Sequence, residues 1–334
     1  MSRAFVLGAG GWGTALAQTL ADRYERIDLW EFDAAYAAET EAARENKRYL
    51  PGVALAENLH FGSSLEPMRE AALLVLSVPS DHFRQVWLKA AALANPAQIA
   101  VVATKGIEPG SLLSMRQVTE AVSRELGTPL PRLVTLSGPS HAEEVGRRLP
   151  TTVVTASPDA EAAKLAQAAF NHEWFRVYTS GDPLGVEIAG ALKNVVALAA
   201  GVLDGLSLGD NAKAALMTRG LAEMTRLGVA MGAQGATFAG LAGMGDLVVT
   251  CMSRHSRNRG IGERLGKGEK WSEISKTFRQ AVEGTVTARS AVELAAKYKV
   301  EMPIAAEVHA VLYQDKDPRQ ALKDLLTRPV KMEA

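Results

Sequence analysis

The chain has 334 residues, enough for two domains of ordinary size, each able to bury its own core. Its 37 lysines and arginines balance 37 aspartates and glutamates, so neither the basic face of a nucleic-acid binder nor a basic membrane-surface segment is expected. With 47% apolar and 22% charged residues it lies far from the composition of disordered chains.

In chain order, short apolar runs at residues 4–7, 27–30, 73–78, 99–103 and 133–136 read as buried strands. Helical periodicity fills the gaps at 13–23, 34–46, 83–93 and 113–126. Strands spaced by helices predict a parallel α/β sheet, because a parallel crossover needs about a dozen residues. Runs at 151–155 and 175–179, flanking a helix at 160–169, are expected to continue and finish that sheet. Beyond them the period changes to three and four residues at 185–203, 211–231, 288–297, 305–313 and 319–326, so the second half is predicted to be all helical. The turn cluster Ser180-Gly181-Asp182-Pro183 marks the change. The expected organisation is a dinucleotide-binding α/β domain at 1–182 and an all-α domain at 183–334.

Gly8-Ala9-Gly10-Gly11-Trp12-Gly13 follows a predicted strand and opens a predicted helix. Glycines 8, 10 and 13 suit a tight turn, close approach of backbone to a pyrophosphate, and close helix–strand packing. The helix N-terminus adds unpaired N–H groups and a positive dipole end. Glu31 ends the second predicted strand, where this kind of fold places a carboxylate that accepts hydrogen bonds from the adenosine ribose and repels a 2′-phosphate. A preference for NAD over NADP follows as an expectation.

Ligands of an open parallel sheet bind at the carboxyl ends of its strands. Three small turns lie there: residues 77–80, residues 104–108 with Lys105, and residues 137–140 with Gly138 and Ser140. In the helical half, Lys193 and Asn194 sit in an otherwise small and apolar helix. A lysine so placed either snorkels or is held by a functional constellation that can tune it as an acid or base. Asp246 and Thr250 stand four apart after a glycine turn, and residues 253–259, which include Ser256, Arg257 and Asn258, pack three arginines into seven positions. Arginine forks match phosphate geometry, whereas a solvated basic loop is the plainer reading.

The single cysteine, Cys251, excludes an intramolecular disulfide and a thiolate metal cluster and fits a reducing compartment. The six histidines form no H-E-x-x-H pair, so no metal is expected. The first residues offer neither a secretory apolar stretch nor a membrane span, so the expected location is the cytoplasm, without membrane insertion.

From Val6 to about Ile304 the chain resembles the bacterial NAD(P)-dependent sn-glycerol-3-phosphate dehydrogenases. The most specific matches are residues 191–194 (Ala-Leu-Lys-Asn), 208–216 (Leu-Gly-Asp-Asn-Ala-Lys-Ala-Ala-Leu) and 241–247 (Leu-Ala-Gly-Met-Gly-Asp-Leu). Residues 256–259 and the turn at 282–284 agree as well. The resemblance implies a Rossmann-type domain followed by a helical domain like that of 6-phosphogluconate dehydrogenase. It also implies reversible reduction of dihydroxyacetone phosphate to sn-glycerol 3-phosphate, a glycerophospholipid precursor. In such proteins the lysine matching Lys193 donates and accepts the proton, and residues matching Lys105, Asn194, Asp246 and Thr250 surround the reacting carbon. Positions matching Gly138, Ser140, Ser256, Arg257 and Asn258 contact substrate. Those matching Gly8, Gly10, Gly11, Trp12, Gly13, Glu31, Ala142 and Glu283, with Lys105 and Arg257, face the cofactor.

Three departures stand out: Glu31 where several NADP-using relatives have a basic or polar residue, His141 in place of a usual aromatic, and Gly11 in place of a usual serine. A homodimer remains compatible with these residues, as do two other functions. One is a related dehydrogenase acting on a 3-hydroxyacid or a 6-phosphogluconate-type carboxylate. The other is a non-enzymatic NAD(H) sensor, which would not need an ordered set of lysine, carboxylate and arginine.

Overall fold

A computed structural model describes residues 2–277, 282–330 and 332, so the outer limits 1 and 334 of the expected domains lie outside the described residues. The first part is an eight-stranded sheet in the order β3-β2-β1-β4-β5-β6-β7-β8. Its strands are β1 (Arg3–Leu7), β2 (Arg26–Trp30), β3 (Leu59–Gly62), β4 (Leu73–Leu76), β5 (Ile99–Val102), β6 (Arg132–Ser137), β7 (Thr151–Ala156) and β8 (Phe175–Ser180). Helices α1 (Gly11–Leu20), α2 (Ala34–Ala43), α3 (Ser80–Ala90), α4 (Met115–Leu126), α5 (Ala142–Val145) and α6 (Ala160–Phe170) connect them. Strand β3 was not expected: its four residues, Leu-His-Phe-Gly, alternate too briefly to give a period-two signal.

Alternate side chains of the strands feed two cores. Val6, Leu29, Val75 and Val101 pack with α1 and α6 on one face, and Phe5, Leu7, Leu74 and Leu76 pack with α3 and α4 on the other. Strands β1 to β6 are parallel, but β7 runs antiparallel to β6, with Leu136 opposite Thr155. This corrects the expectation of a wholly parallel sheet. The link between β6 and β7, residues 138–150, holds as its helix only the four-residue α5, too short to run back along the sheet, so β7 starts at the edge where β6 ends. Helix α6 then returns the chain to a parallel β8.

That reversal decides where the second part begins. Because β8 runs against β1 to β6, it ends at the sheet edge opposite the carboxyl ends of those strands. From there α7 (Pro183–Gly205), capped by Asp182, which accepts from the N–H of Gly185 at 2.9 Å, climbs back along the sheet. The ten helical steps from Pro183 to Lys193 rise about 15 Å, roughly the height of the sheet, and bring Gly190 against Ser137 at the end of β6.

Helix α7 is long and apolar enough to cross a membrane, yet 89% of its apolar window is buried within the protein. Around it lie α8 (Gly209–Ala230), α9 (Gly235–Ala239), α10 (Asp246–Met252), α11 (Arg257–Gly266), α12 (Trp271–Ile274), α13 (Glu283–Tyr298), α14 (Pro303–Tyr313) and α15 (Pro318–Leu326). Gly201 and Gly205 of α7 face Gly262 and Gly266 of α11 so closely that a Cβ at any of the four would overlap the facing helix's backbone. The two helices therefore dock backbone to backbone.

Candidate active site

At the carboxyl end of β1 the chain turns at Gly8, whose φ of 112° is open to glycine and strained for other residues. A Cβ there would also lie 2.9 Å from the backbone nitrogen of Val78 in the neighbouring turn. Gly10 caps α1 without a side-chain hydrogen bond, and Gly11, Trp12 and Gly13 form the first helical turn. Its N–H groups are thus available to an anion, and the turn fits a dinucleotide pyrophosphate. Trp12 donates from its indole to the carbonyl of Ala103 at 3.3 Å.

Glu31 is buried just beyond β2 and accepts the N–H of Asp33 at 3.2 Å. Burial pushes its carboxyl above the usual range. Ala142, the first residue of α5, packs against the same core as Trp12. Glu283, at the start of α13, reaches across to α3: Ser80 donates to it from both its N–H, at 3.0 Å, and its hydroxyl. Burial pushes Glu283 up to about 7, against those hydrogen bonds and the nearby charge of Arg257.

The helical half meets this edge in a buried ion network. Lys193 donates to Oδ1 of Asp246 at 2.5 Å and to the Thr250 hydroxyl at 2.7 Å. Lys105, from the turn after β5, donates to Oδ2 of Asp246 at 2.7 Å and to the Gly138 carbonyl at 3.1 Å. Asp246 and Thr250 share one face of α10, one turn apart, and the hydroxyl also donates to the Asp246 carbonyl at 2.6 Å. The side chain of Asp246 is 1% exposed, that of Lys193 8% and that of Lys105 16%.

Burial pushes Lys193 down to about 8, against the attraction of Asp246. Burial alone would raise Asp246, but two ammonium groups outweigh it and hold the carboxyl below its usual range. Lys193 is therefore a buried group poised to exchange a proton near neutral pH.

Of the other expected residues, Gly138 and Ser140 adjoin this network through Lys105, and Asn194 follows Lys193 in the chain. Asn258 donates to Oδ1 of Asn194 at 2.9 Å and accepts the Gly284 N–H at 3.0 Å, so its amide ties α7, α11 and α13 together. Ser256 caps α11 by accepting the N–H of Arg259 at 3.2 Å, and Arg257 opens that helix with an exposed side chain. Ser140 donates to the Gly138 carbonyl at 2.9 Å.

The run 253–259 does not act as one basic cluster. Arg259 turns away to pair with Asp204 of α7 at 2.6 Å, because it lies on the helix face that docks on α7. Glu187 of α7 was not expected; it accepts the Ser114 hydroxyl and the Arg116 N–H, each at 2.8 Å, and burial pushes it up to about 7. An acid in the apolar first half of the helix was the signal it offered.

Two family models match the chain: the N-terminal part of NAD-dependent glycerol-3-phosphate dehydrogenase over residues 3–163 and the C-terminal part over residues 182–323. The chain belongs to that family. Among curated relatives, glycerol-3-phosphate dehydrogenase [NAD(P)+] of Geobacillus thermodenitrificans is 49% identical over 100% of this chain and 97% of its own length. The protein of that name from Geobacter metallireducens is 51% identical, with 98% of each covered.

Among solved structures, glycerol-3-phosphate dehydrogenase from Coxiella burnetii matches with a TM-score of 0.92 at 39% identity, over 98% of this chain and 99% of that one. The Plasmodium falciparum glycerol-3-phosphate dehydrogenase, at 23% identity and a TM-score of 0.84 over 99% of this chain and 97% of that one, shares the fold. Dependence on NAD or NADP is thus a property of the family, and no group of three or more potential metal ligands occurs among the described residues.

Proposed function

We propose that this chain catalyses the reversible reduction of dihydroxyacetone phosphate to sn-glycerol 3-phosphate with NAD(H) or NADP(H). The reading is carried by one observation: Lys105 of the sheet and Lys193 of the helical half converge on a single buried carboxylate, Asp246, at the ligand edge. The names of relatives that share half of its residues support it. The division at 182/183 puts the cofactor on the first domain and the reacting carbon at the seam.

A dinucleotide held by its pyrophosphate at the Gly8–Gly13 turn would supply hydride from its nicotinamide to the ketone carbon. Negative charge then grows on the carbonyl oxygen, where the Lys193 ammonium stabilises it and hands over a proton. Asp246 and Thr250 fix the Lys193 amine in place, and Asp246 keeps it charged despite burial. Lys105 adds a second positive charge facing the same carboxylate. In oxidation the neutral Lys193 amine takes the hydroxyl proton.

Asn194 supports the reacting end, while Ser256, Arg257 and Asn258 at the head of α11, with Gly138 and Ser140, hold the substrate and its phosphate. Trp12, Ala142, Glu283 and Glu31 line the cofactor side, and Glu31 favours NAD by repelling a 2′-phosphate. The enzyme acts on a small substrate in the cytoplasm and supplies the glycerophospholipid backbone. Oxidation of NADH and of NADPH, assayed side by side with dihydroxyacetone phosphate, tests the reading; turnover only of a carboxylate-bearing substrate would favour the hydroxyacid alternative.

A further inference from the structure

Beside the ion network, Nε2 of His141 is closed off from solvent and has no hydrogen-bond partner within the protein. Leaving a buried imidazole nitrogen unpaired is unfavourable, so such an atom beside a reactive centre points to a ligand group. His141 comes from the loop after β6, next to Ser140 and Ala142. Across the seam stands His255, from the link between α10 and α11, with ring centroids 6.1 Å apart and planes inclined at 53°. The charges that reach the imidazole are Lys193, Lys105 and Asp246 of the network and Glu143 of its own helix.

Burial and the two ammonium groups hold His141 below the usual imidazole range, so the ring is neutral at pH 7. A neutral imidazole offers one donor and one acceptor. That suits a hydroxyl, which can accept and donate, better than a phosphate dianion, which only accepts and favours cations. The triose phosphate proposed above carries one free hydroxyl, on the carbon bonded to the reacting carbonyl.

We propose that His141 is a substrate-positioning residue whose Nε2 hydrogen-bonds the free hydroxymethyl group of the bound triose phosphate, selecting it over a methyl group. The inference rests on the triose-phosphate reading and adds to it the residue that recognises the end of the substrate remote from the phosphate.

The test compares kcat/KM for dihydroxyacetone phosphate with that for its 1-deoxy analogue, hydroxyacetone phosphate, in the wild-type protein and in His141→Phe and His141→Gln. His141→Phe should lose about tenfold on the hydroxylated substrate, the size of effect one hydrogen bond carries, and stay within about twofold on the analogue. His141→Gln, whose amide nitrogen reaches near the Nε2 position, should retain most of the discrimination. His141→Leu replaces the Phe variant if thermal unfolding shows that phenylalanine is not accommodated. Equal losses on both substrates, or no loss on either, would overturn the assignment. Failure of the wild-type protein to turn over dihydroxyacetone phosphate would instead remove the triose-phosphate reading, and this inference with it.

Discussion

Lys105 and Lys193 hold opposite oxygens of the Asp246 carboxylate, at 2.7 Å and 2.5 Å, one reaching it from the sheet and the other from the long helix of the second half. One anion between two cations leaves a net positive charge at the point where a ketone oxygen would gain negative charge.

If Lys193 carries the proton as proposed, it should govern the pH profile. With its amine pushed down to about 8, kcat/KM for ketone reduction, which needs the ammonium, should fall as pH rises through about 8. The reverse oxidation, which needs the free amine, should rise over the same range. Lys193→Ala should lower kcat by several orders of magnitude while cofactor binding, followed by nicotinamide fluorescence, persists. Near-normal turnover would take Lys193 out of the chemistry.

Asp246→Asn should harm both stability and chemistry. Removing the anion strands two ammonium groups in a buried site, which costs about 3–5 kcal/mol by analogy with other broken buried pairs. Without its carboxylate Lys193 should ionise less readily still, so any residual reduction activity should decline from a lower pH than in the wild type. Denaturant unfolding and the pH profile together check this, and an unchanged profile would separate Asp246 from Lys193.

Glu31 should set cofactor preference. The ratio of kcat/KM for NADH to that for NADPH should exceed one in the wild type and fall in Glu31→Ala, mainly through a better KM for NADPH. Equal efficiencies with the two cofactors in the wild type would refute the assignment.

Gly262 joins α7 and α11 by backbone contact, and α11 begins at Arg257, among the residues proposed to hold the substrate. Gly262→Ala should force the helices apart at a cost of about 1–3 kcal/mol and raise KM for the phosphorylated substrate more than it lowers kcat. Thermal unfolding and steady-state kinetics measure the two effects; a loss of stability with unchanged KM would make the contact purely structural.

Glu187 bears on stability against pH. Its carboxyl lies at about 7 when folded and near 4.5 when unfolded, so the native state binds more protons between those values and stability falls as pH rises through them. Glu223 and Glu283, also pushed up to about 7 by burial, act in the same direction. Glu187→Gln should flatten the decline of Tm between pH 5 and pH 8 without abolishing it, and parallel curves for variant and wild type would contradict the prediction.

Local order was legible where a physical signal is local. The positive φ at Gly8 is a local demand for glycine, although its close approach to Val78 is tertiary, and the change from strand runs to helical period near residue 180 reflects how each element buries its own side chains. The one-turn spacing of Asp246 and Thr250 is likewise a property of one helix. Short elements such as β3 and α5 escaped notice because four residues carry too little periodicity.

Tertiary structure alone decided the rest. The antiparallel turn into β7 starts α7 at the far edge of the sheet, and its rise then carries Lys193 up to Lys105 and to Asp246, which follows 53 residues later in the chain. Arg259 was directed to Asp204, and the amide of Asn258 was taken up by Asn194 and Gly284. His141 and His255 met across the seam. Residue type and spacing determine what a side chain can do, but its partner, its burial and hence its proton affinity depend on which distant segments the packed chain brings against it.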